Sequence, residues 1–270
     1  MLHDFSPAAD ADGLPNARRL LLKLLVADPD VTLTAAGAVR ACALFAIPAT
    51  NARVALNRLQ AAGLVQARAR GCYGLGAAGL ALGRQVSAWR TAGQQLRPWD
   101  GGWVMALCAE PLRRGSRAQR QRERALALLG FRHWKEGLHL RPDNFRSGAT
   151  GVRERLLALG LDAATPVFAA ADLGAAHEAQ VCALWDGAAL GRAYAAGAAR
   201  VARSLAALPT LPLDDAARQS YLLGDAAIRQ LVFDPLLPDP LVRSAERERF
   251  VDTVRRYDDA GRVIWQRFLD

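Results

Sequence analysis

The sequence predicts an α+β protein, and three observations predict it. Apolar residues at helical spacing fill the start and the end of the chain. A basic hairpin pattern follows the third helix of the start. The middle switches to short apolar runs that read as strands. Three regions follow: a winged helix-turn-helix over residues 1–92, a ferredoxin-like β-α-β-β-α-β unit over 93–174, and a helical segment for dimer and effector contacts over 175–270. A chain of 270 residues has room for two or three domains, and its composition, 51% hydrophobic and 23% charged, is that of a globular protein.

The spacing predicts a first helix over Asn16–Ala27, with Asn16 as cap and Leu20, Leu21, Leu24 and Leu25 on the apolar face. Asp28-Pro29-Asp30 stops it. A second helix runs from about Thr34 to Phe45, with Ala38, Cys42 and Phe45 inward. A third runs from about Ala49 to Ala62 and ends at Gly63. At 100° per residue, Ala52, Ala55, Leu56 and Leu59 share its inner face. Thr50, Val54 and Asn57 lie opposite, flanked by Asn51, Arg53 and Arg58. That outer face carries short hydrogen-bonding groups between arginines. Asn bonds adenine edges, Arg bonds guanine or phosphate, and Thr or Val meets a thymine methyl. Alternation around Arg70-Gly71 then predicts a hairpin, whose Arg68, Arg70 and Tyr73 make a wing.

Gly93–Trp99 reads as a linker. The spacing next predicts a strand over Trp103–Ala109, a helix over Ser116–Leu129, strands over Phe131–Trp134 and Leu138–Arg141, a helix over Val152–Leu159 and a strand over Pro166–Ala170. The first of these helices opens with Arg113, Arg114, Arg117, Arg120, Arg122 and Arg124, which suit a solvated face, DNA phosphates or an anionic ligand such as a CoA thioester. Four further helices follow: Ala176–Trp185, Ala188–Leu208, Asp214–Phe233 and Val242–Leu269. Trp185, Tyr194, Tyr221, Phe233 and Trp265 on them either fill a core or line an effector pocket. Arg117, Arg120, Trp185 and Tyr194 are the candidate effector contacts.

Lys and Arg number 35 against 26 Asp and Glu, giving +9 and a pI near 10.2. That balance suits a polyanionic partner. Charges interrupt every long apolar run, so no membrane span is expected, and residues 1–15 lack a signal-peptide core; the expected location is the cytoplasm. Cys42, Cys72, Cys108 and Cys182 are far apart and read as buried thiols. The histidines are scattered, with only His133 and His139 able to meet across paired strands, so neither a metal nor a cofactor is expected. No nucleophile elbow, phosphate loop or zinc motif occurs, so no catalytic residue is assigned and the chain is not expected to be an enzyme. Asp100 stands before the first middle strand, but Glu110, Glu136, Asp143 and Glu154 offer it no second acid at matching spacing.

Four stretches in order resemble the PaaX family of transcriptional repressors of phenylacetic acid catabolism. They are Asn51 to Leu59 followed by Gly63-Leu64, Pro98-Trp99-Asp100-Gly101-Gly102-Trp103, Leu129-Gly130-Phe131, and Asp234-Pro235-Leu236-Leu237-Pro238. The resemblance spans nearly the whole chain. It implies a homodimer that binds a double-stranded operator through the winged helix, and release by an acyl-CoA such as phenylacetyl-CoA. It places Arg53 and Arg58 where the family carries its recognition-helix arginines. The wing departs from the family, whose Gly-Arg-Arg run precedes an aromatic residue; here the order is Arg68-Ala69-Arg70-Gly71-Cys72-Tyr73. The alternative reading is a winged-helix protein-interaction module without specific DNA binding.

Overall fold

Side-chain caps set where several helices begin. The Asn16 Oδ1 accepts from the Arg19 N–H at 2.9 Å, the Thr34 Oγ1 from Gly37 at 2.9 Å, and the Ser116 Oγ from Gln119 at 3.1 Å. Each satisfies an N–H that the first helical turn leaves without an intrahelical acceptor. The computed structural model describes residues 14–27, 31–108 and 113–270. The stop expected at Asp28-Pro29-Asp30, the end of the strand expected at Ala109, and Glu110 lie outside the described residues.

The protein is mixed α and β. The chain divides into two compact units: residues 1–89, 199–229 and 252–270 make the first, and residues 90–198 and 230–251 the second. In the first unit, α1 (Ala17–Ala27), β1 (Leu33–Thr34), α2 (Ala35–Ala43), α3 (Ala49–Ala61), β2 (Val65–Ala69), β3 (Cys72–Leu75) and α4 (Ala77–Ser87) follow in order. The strands form an antiparallel sheet in the order β1-β3-β2. Gly71, at φ 72°, turns β2 into β3, and Gly63, at φ 66°, follows α3; both φ values favour glycine. One apolar stripe was expected on the first helix, yet Leu20, Leu21, Leu22 and Leu25 are all fully buried and Leu24 is half-buried. The cause is packing on more than one side: α1 is surrounded by α2, α3 and α4.

The strand β1 and the helix α4 were not read from the sequence. The core of this unit also takes in Ala217, Tyr221, Trp265 and Phe268 from the C-terminal part of the chain. The Tyr221 ring meets Phe45 edge-on at 5.2 Å, and Arg218 donates through Nε to the Leu44 carbonyl at 2.8 Å.

The second unit contains β4 (Trp103–Leu107), α5 (Arg117–Leu128), β5 (Arg132–Lys135), β6 (Leu138–Pro142), α6 (Gly148–Ala158), β7 (Val167–Ala170) and α7 (Ala175–Cys182). Its antiparallel sheet has the order β5-β6-β4-β7. Val104 and Ala106 alternate inward to a core with Ala125 and Leu126 of α5 and Val152 and Leu156 of α6. The segment expected as a linker is tied down here: Arg97 N–H donates to the Asn144 carbonyl and Arg146 N–H to the Gln95 carbonyl, both at 2.9 Å. Gly, Gln and Pro make it look like a loop, and a pairing partner so far along the chain leaves no local pattern.

Three long helices complete the chain: α8 (Gly187–Ala207), α9 (Leu213–Val232) and α10 (Ser244–Leu269). Each contributes residues to both units. Within the second unit, Gly130, at φ 74°, ends the turn after α5 so close to Pro235 that a Cβ would lie 2.7 Å from its carbonyl oxygen. The Asn144 amide donates to the Leu236 carbonyl at 2.7 Å. The Leu129-Gly130-Phe131 and Asp234-Pro235-Leu236 stretches therefore meet in space. Among the described residues, no helix is long and apolar enough to cross a membrane.

Candidate nucleic-acid interface

Helix α3 has two chemically distinct faces. Ala52, Ala55, Leu56 and Leu59 are at most 5% exposed and seat it on the core. Thr50, Asn51, Arg53, Val54, Asn57 and Arg58 are all exposed. Val54 stands 46% exposed between them, an apolar group in water with no packing role. The helix contains no carboxylate. Among the described residues, none forms an ion pair with Arg53 or Arg58. Thirteen residues make a rod roughly 20 Å long. A DNA major groove about 12 Å wide admits such a rod.

The hairpin beside it divides its three candidates. Arg70 is exposed next to the Gly71 turn. Arg68 sits at a bulge between the paired residues Ala67 and Ala69. Its guanidinium folds back along its own hairpin, donating through Nη2 to the Leu75 carbonyl at 3.3 Å. It also covers Gly74, where a Cβ would lie 2.9 Å from its Nε. Tyr73 is half-buried against the core, opposite Leu33. The structure thus gathers six of the nine expected contacts on one helix face and places Arg70 exposed beside the turn. It holds Arg68 and Tyr73 within the hairpin.

The four expected effector contacts differ in exposure. Trp185 is 6% exposed, stacks on Trp103 at 5.9 Å and donates to the Gly130 carbonyl at 3.3 Å. Tyr194 is 1% exposed and stacks against Phe250. Both are core residues, whereas Arg117 and Arg120 are exposed on α5.

A cavity of about 620 Å³ lies elsewhere in the second unit, lined by Arg97, Asp100, Asp143, Glu178 and the backbone of residues 169–175. Arg97 bridges Asp100 at 2.7 Å and Asp143 at 3.2 Å. This pair of acids was missed because Asp143 follows β6, and register places the end of that strand beside the start of β4 (Trp103 faces Pro142). The Arg97 hydrogen bond and the Gly102 N–H hold the Asp100 carboxyl below the usual carboxylate range. Glu178 accepts from the Trp103 indole at 3.0 Å. The acids are therefore engaged as structural partners.

His133 and His139 face each other across β5 and β6 with rings 5.2 Å apart. Burial pushes His139 down from the usual imidazole value. Among the described residues, no group of three His, Cys, Asp or Glu side chains is placed to hold a metal ion. All four cysteines are free; Cys42 and Cys108 are buried, and Cys72 and Cys182 half-buried. Burial pushes the Cys42 thiol up to about 11, which leaves it unreactive at neutral pH.

No protein-family model and no curated protein matches the chain. Among solved structures, an uncharacterized protein, Rv0674 from Mycobacterium tuberculosis, is similar, with a TM-score of 0.58 and 24% identity over 91% of this chain and 98% of that one. That similarity carries the fold and nothing about activity.

Proposed function

We propose that this protein is a DNA-binding transcriptional regulator that reads its operator with α3. In this reading the first unit holds a winged helix-turn-helix: α2 and α3 are its helix pair, and β2 and β3 its wing. The second unit is ferredoxin-like, since strand order β5-β6-β4-β7 with α5 and α6 on one face is the arrangement of a β-α-β-β-α-β unit. One observation carries the reading. The exposed face of α3 presents Thr50, Asn51, Arg53, Val54, Asn57 and Arg58 with no carboxylate on the helix and, among the described residues, no ion pair to explain its arginines. A purely solvated helix face gains from paired charges of both signs; this one has the groups that read base edges. Arg70 supplies a phosphate contact beside it. Like the PaaX family, the protein acts as a homodimer and a repressor, released by a small acidic effector such as an aryl-acyl-CoA.

The test is selection of bound duplexes from a random pool, followed by affinity measurements on the winning sequence. Arg53→Ala and Asn57→Ala each weaken binding by about 1–3 kcal/mol if each contacts a base. A double variant that binds the selected duplex as tightly as the parent removes α3 as the reading element.

A further inference from the structure

Residues 113–135 hold eight cationic side chains and one acid, against a net charge of +9 for the whole chain. Four of those cations, Arg113, Arg114, Arg117 and Arg120, are exposed where α5 begins. Among the described residues, no carboxylate pairs with any of the four.

The two C-terminal helices treat several of their arginines differently. On α9 and α10 an acid meets a neighbouring arginine one turn away: Asp215 with Arg218, Glu246 with Arg249, Asp252 with Arg255, and Asp258 with Arg262, at 3.0 to 3.5 Å. These two helices carry acids beside their arginines, whereas α8 spaces Arg192, Arg200 and Arg203 along a helix without acids; the start of α5 differs from both in crowding four arginines into eight residues. The start of α5 is unmatched and also misplaced, because Arg117 and Arg120 sit in a first turn with no acid. Cations there oppose the helix dipole and destabilise the free protein. An anion in front of them removes that cost.

The local structure holds these groups ready. Gly115, at φ 72°, turns the chain into α5, and its N–H donates to the Gln119 side chain at 2.6 Å. Arg120 returns a hydrogen bond to the Gly115 carbonyl. The one acid, Glu123, accepts from the Gln119 amide at 2.7 Å. Gln121 packs on Gly160. The two amide side chains here, Gln119 and Gln121, are therefore engaged with the protein itself, which leaves arginines on the surface. Arginine pairs with phosphate or with a guanine edge; four of them spread over an exposed turn, with no free amide beside them to read a base, suit the backbone.

We propose that Arg113, Arg114, Arg117 and Arg120 form a second phosphate-binding surface that grips the backbone of duplex DNA without reading its sequence. The proposal rests on the DNA-binding reading above and adds a contact outside α3. Each phosphate neutralised releases counterions, so the contact has a direct signature in the salt dependence of binding.

The experiment uses the full chain and fluorescence anisotropy with two duplexes, the selected sequence and a scrambled one, between about 50 and 200 mM salt. Three variants are compared with the parent: all four arginines to Ala, all four to Lys, and Arg53→Ala with Arg58→Ala. In the alanine variant the slope of log affinity against log salt shrinks in magnitude by about 3.6 for both duplexes, at about 0.9 for each of four phosphates. Affinity at the lowest salt falls at least tenfold, and the ratio between the two duplexes stays constant. The lysine variant keeps the slope, because charge suffices. The α3 variant loses the ratio. A parental slope in a folded alanine variant overturns the proposal and leaves the α3 reading intact. Coenzyme A and inorganic pyrophosphate are titrated in parallel. If the four alanines weaken either of those while the DNA slope stays parental, the surface serves a small phosphorylated ligand and the proposal is wrong. A parent that binds neither duplex overturns both readings together.

Discussion

Asp234 shows how little a residue's type says about its surroundings. It follows α9 in a joint of prolines, yet it is only 6% exposed. Its Oδ1 accepts from the Leu236 N–H at 2.7 Å. Burial pushes its carboxyl up from the usual value, while the Leu236 N–H, the Tyr194 hydroxyl and the Arg247 charge pull the other way. The native state then holds this proton more tightly than the unfolded chain does. The cost of burying the charge is present in full above the raised value and disappears as pH falls through it. Asp234→Asn has no such titration. Thermal midpoints taken from neutral pH into the carboxylate range are expected to show the parent gaining on the variant as pH falls; the reverse trend rules out burial as the leading cause. The arginines teach the same lesson. Arg141 is 1% exposed, spread over Phe145, and bonded to the Asn144 side chain at 2.7 Å, while Arg53 and Arg58 face solvent. Periodicity placed Arg53 and Arg58 outward because their helix has a clear apolar stripe. It was silent about Arg141, whose strand is buried on both faces and whose partner Asn144 is held in turn by Leu236, far along the chain.

Elements were more legible than residues, because caps and turns act locally. Asn16, Thr34 and Ser116 each cap the helix they precede, and Gly63 and Gly71 take the positive φ their positions require. Helix α4 escaped for an equally physical reason. Its sequence, AAGLALGRQVS, carries two glycines, each costing about 1 kcal/mol relative to alanine inside a helix. The structure separates their roles. A Cβ on Gly79 would lie 2.1 Å from the Leu64 carbonyl oxygen, so this glycine lets α4 rest on backbone. A Cβ on Gly83 would meet nothing nearer than Val26 at 3.8 Å. Gly79→Ala should therefore destabilise the protein by about 2 kcal/mol, the clash exceeding the gain in propensity. Gly83→Ala should stabilise it by about 0.5–1 kcal/mol. Urea denaturation of the pair checks both signs, and equal effects would mean that α4 is not held against Leu64.

At the scale of the whole molecule, the sequence divides naturally at its composition changes, but the first core does not end there. Tyr221, Trp265 and Phe268 close it from α9 and α10, with Phe268 beneath the Arg40 guanidinium at 5.3 Å and Trp265 packed edge-on against Phe268 at 5.4 Å. No local pattern announces this, because an amphipathic helix shows that it has an apolar face and not what that face covers. The energy at stake is large. Burying one such ring contributes about 1.5–3 kcal/mol. Three together rival the roughly 5–15 kcal/mol that separates folded from unfolded domains. A fragment of residues 1–92 keeps α1 to α4 and the hairpin but leaves Phe45 without Tyr221 and Arg40 without Phe268. It is expected to melt at lower temperature than the full chain, with a broadened transition, to bind an apolar dye, and to lose amide protection first in α2. If α3 reads DNA as proposed, the fragment's DNA affinity should fall with its folded fraction, because the α3 face itself is intact. A fragment that melts as sharply and as high as the full chain would show that the C-terminal helices contribute nothing to the stability of this core. Residues 1–92 would then fold as an autonomous unit, and any control of it would have to come from somewhere other than α9 and α10.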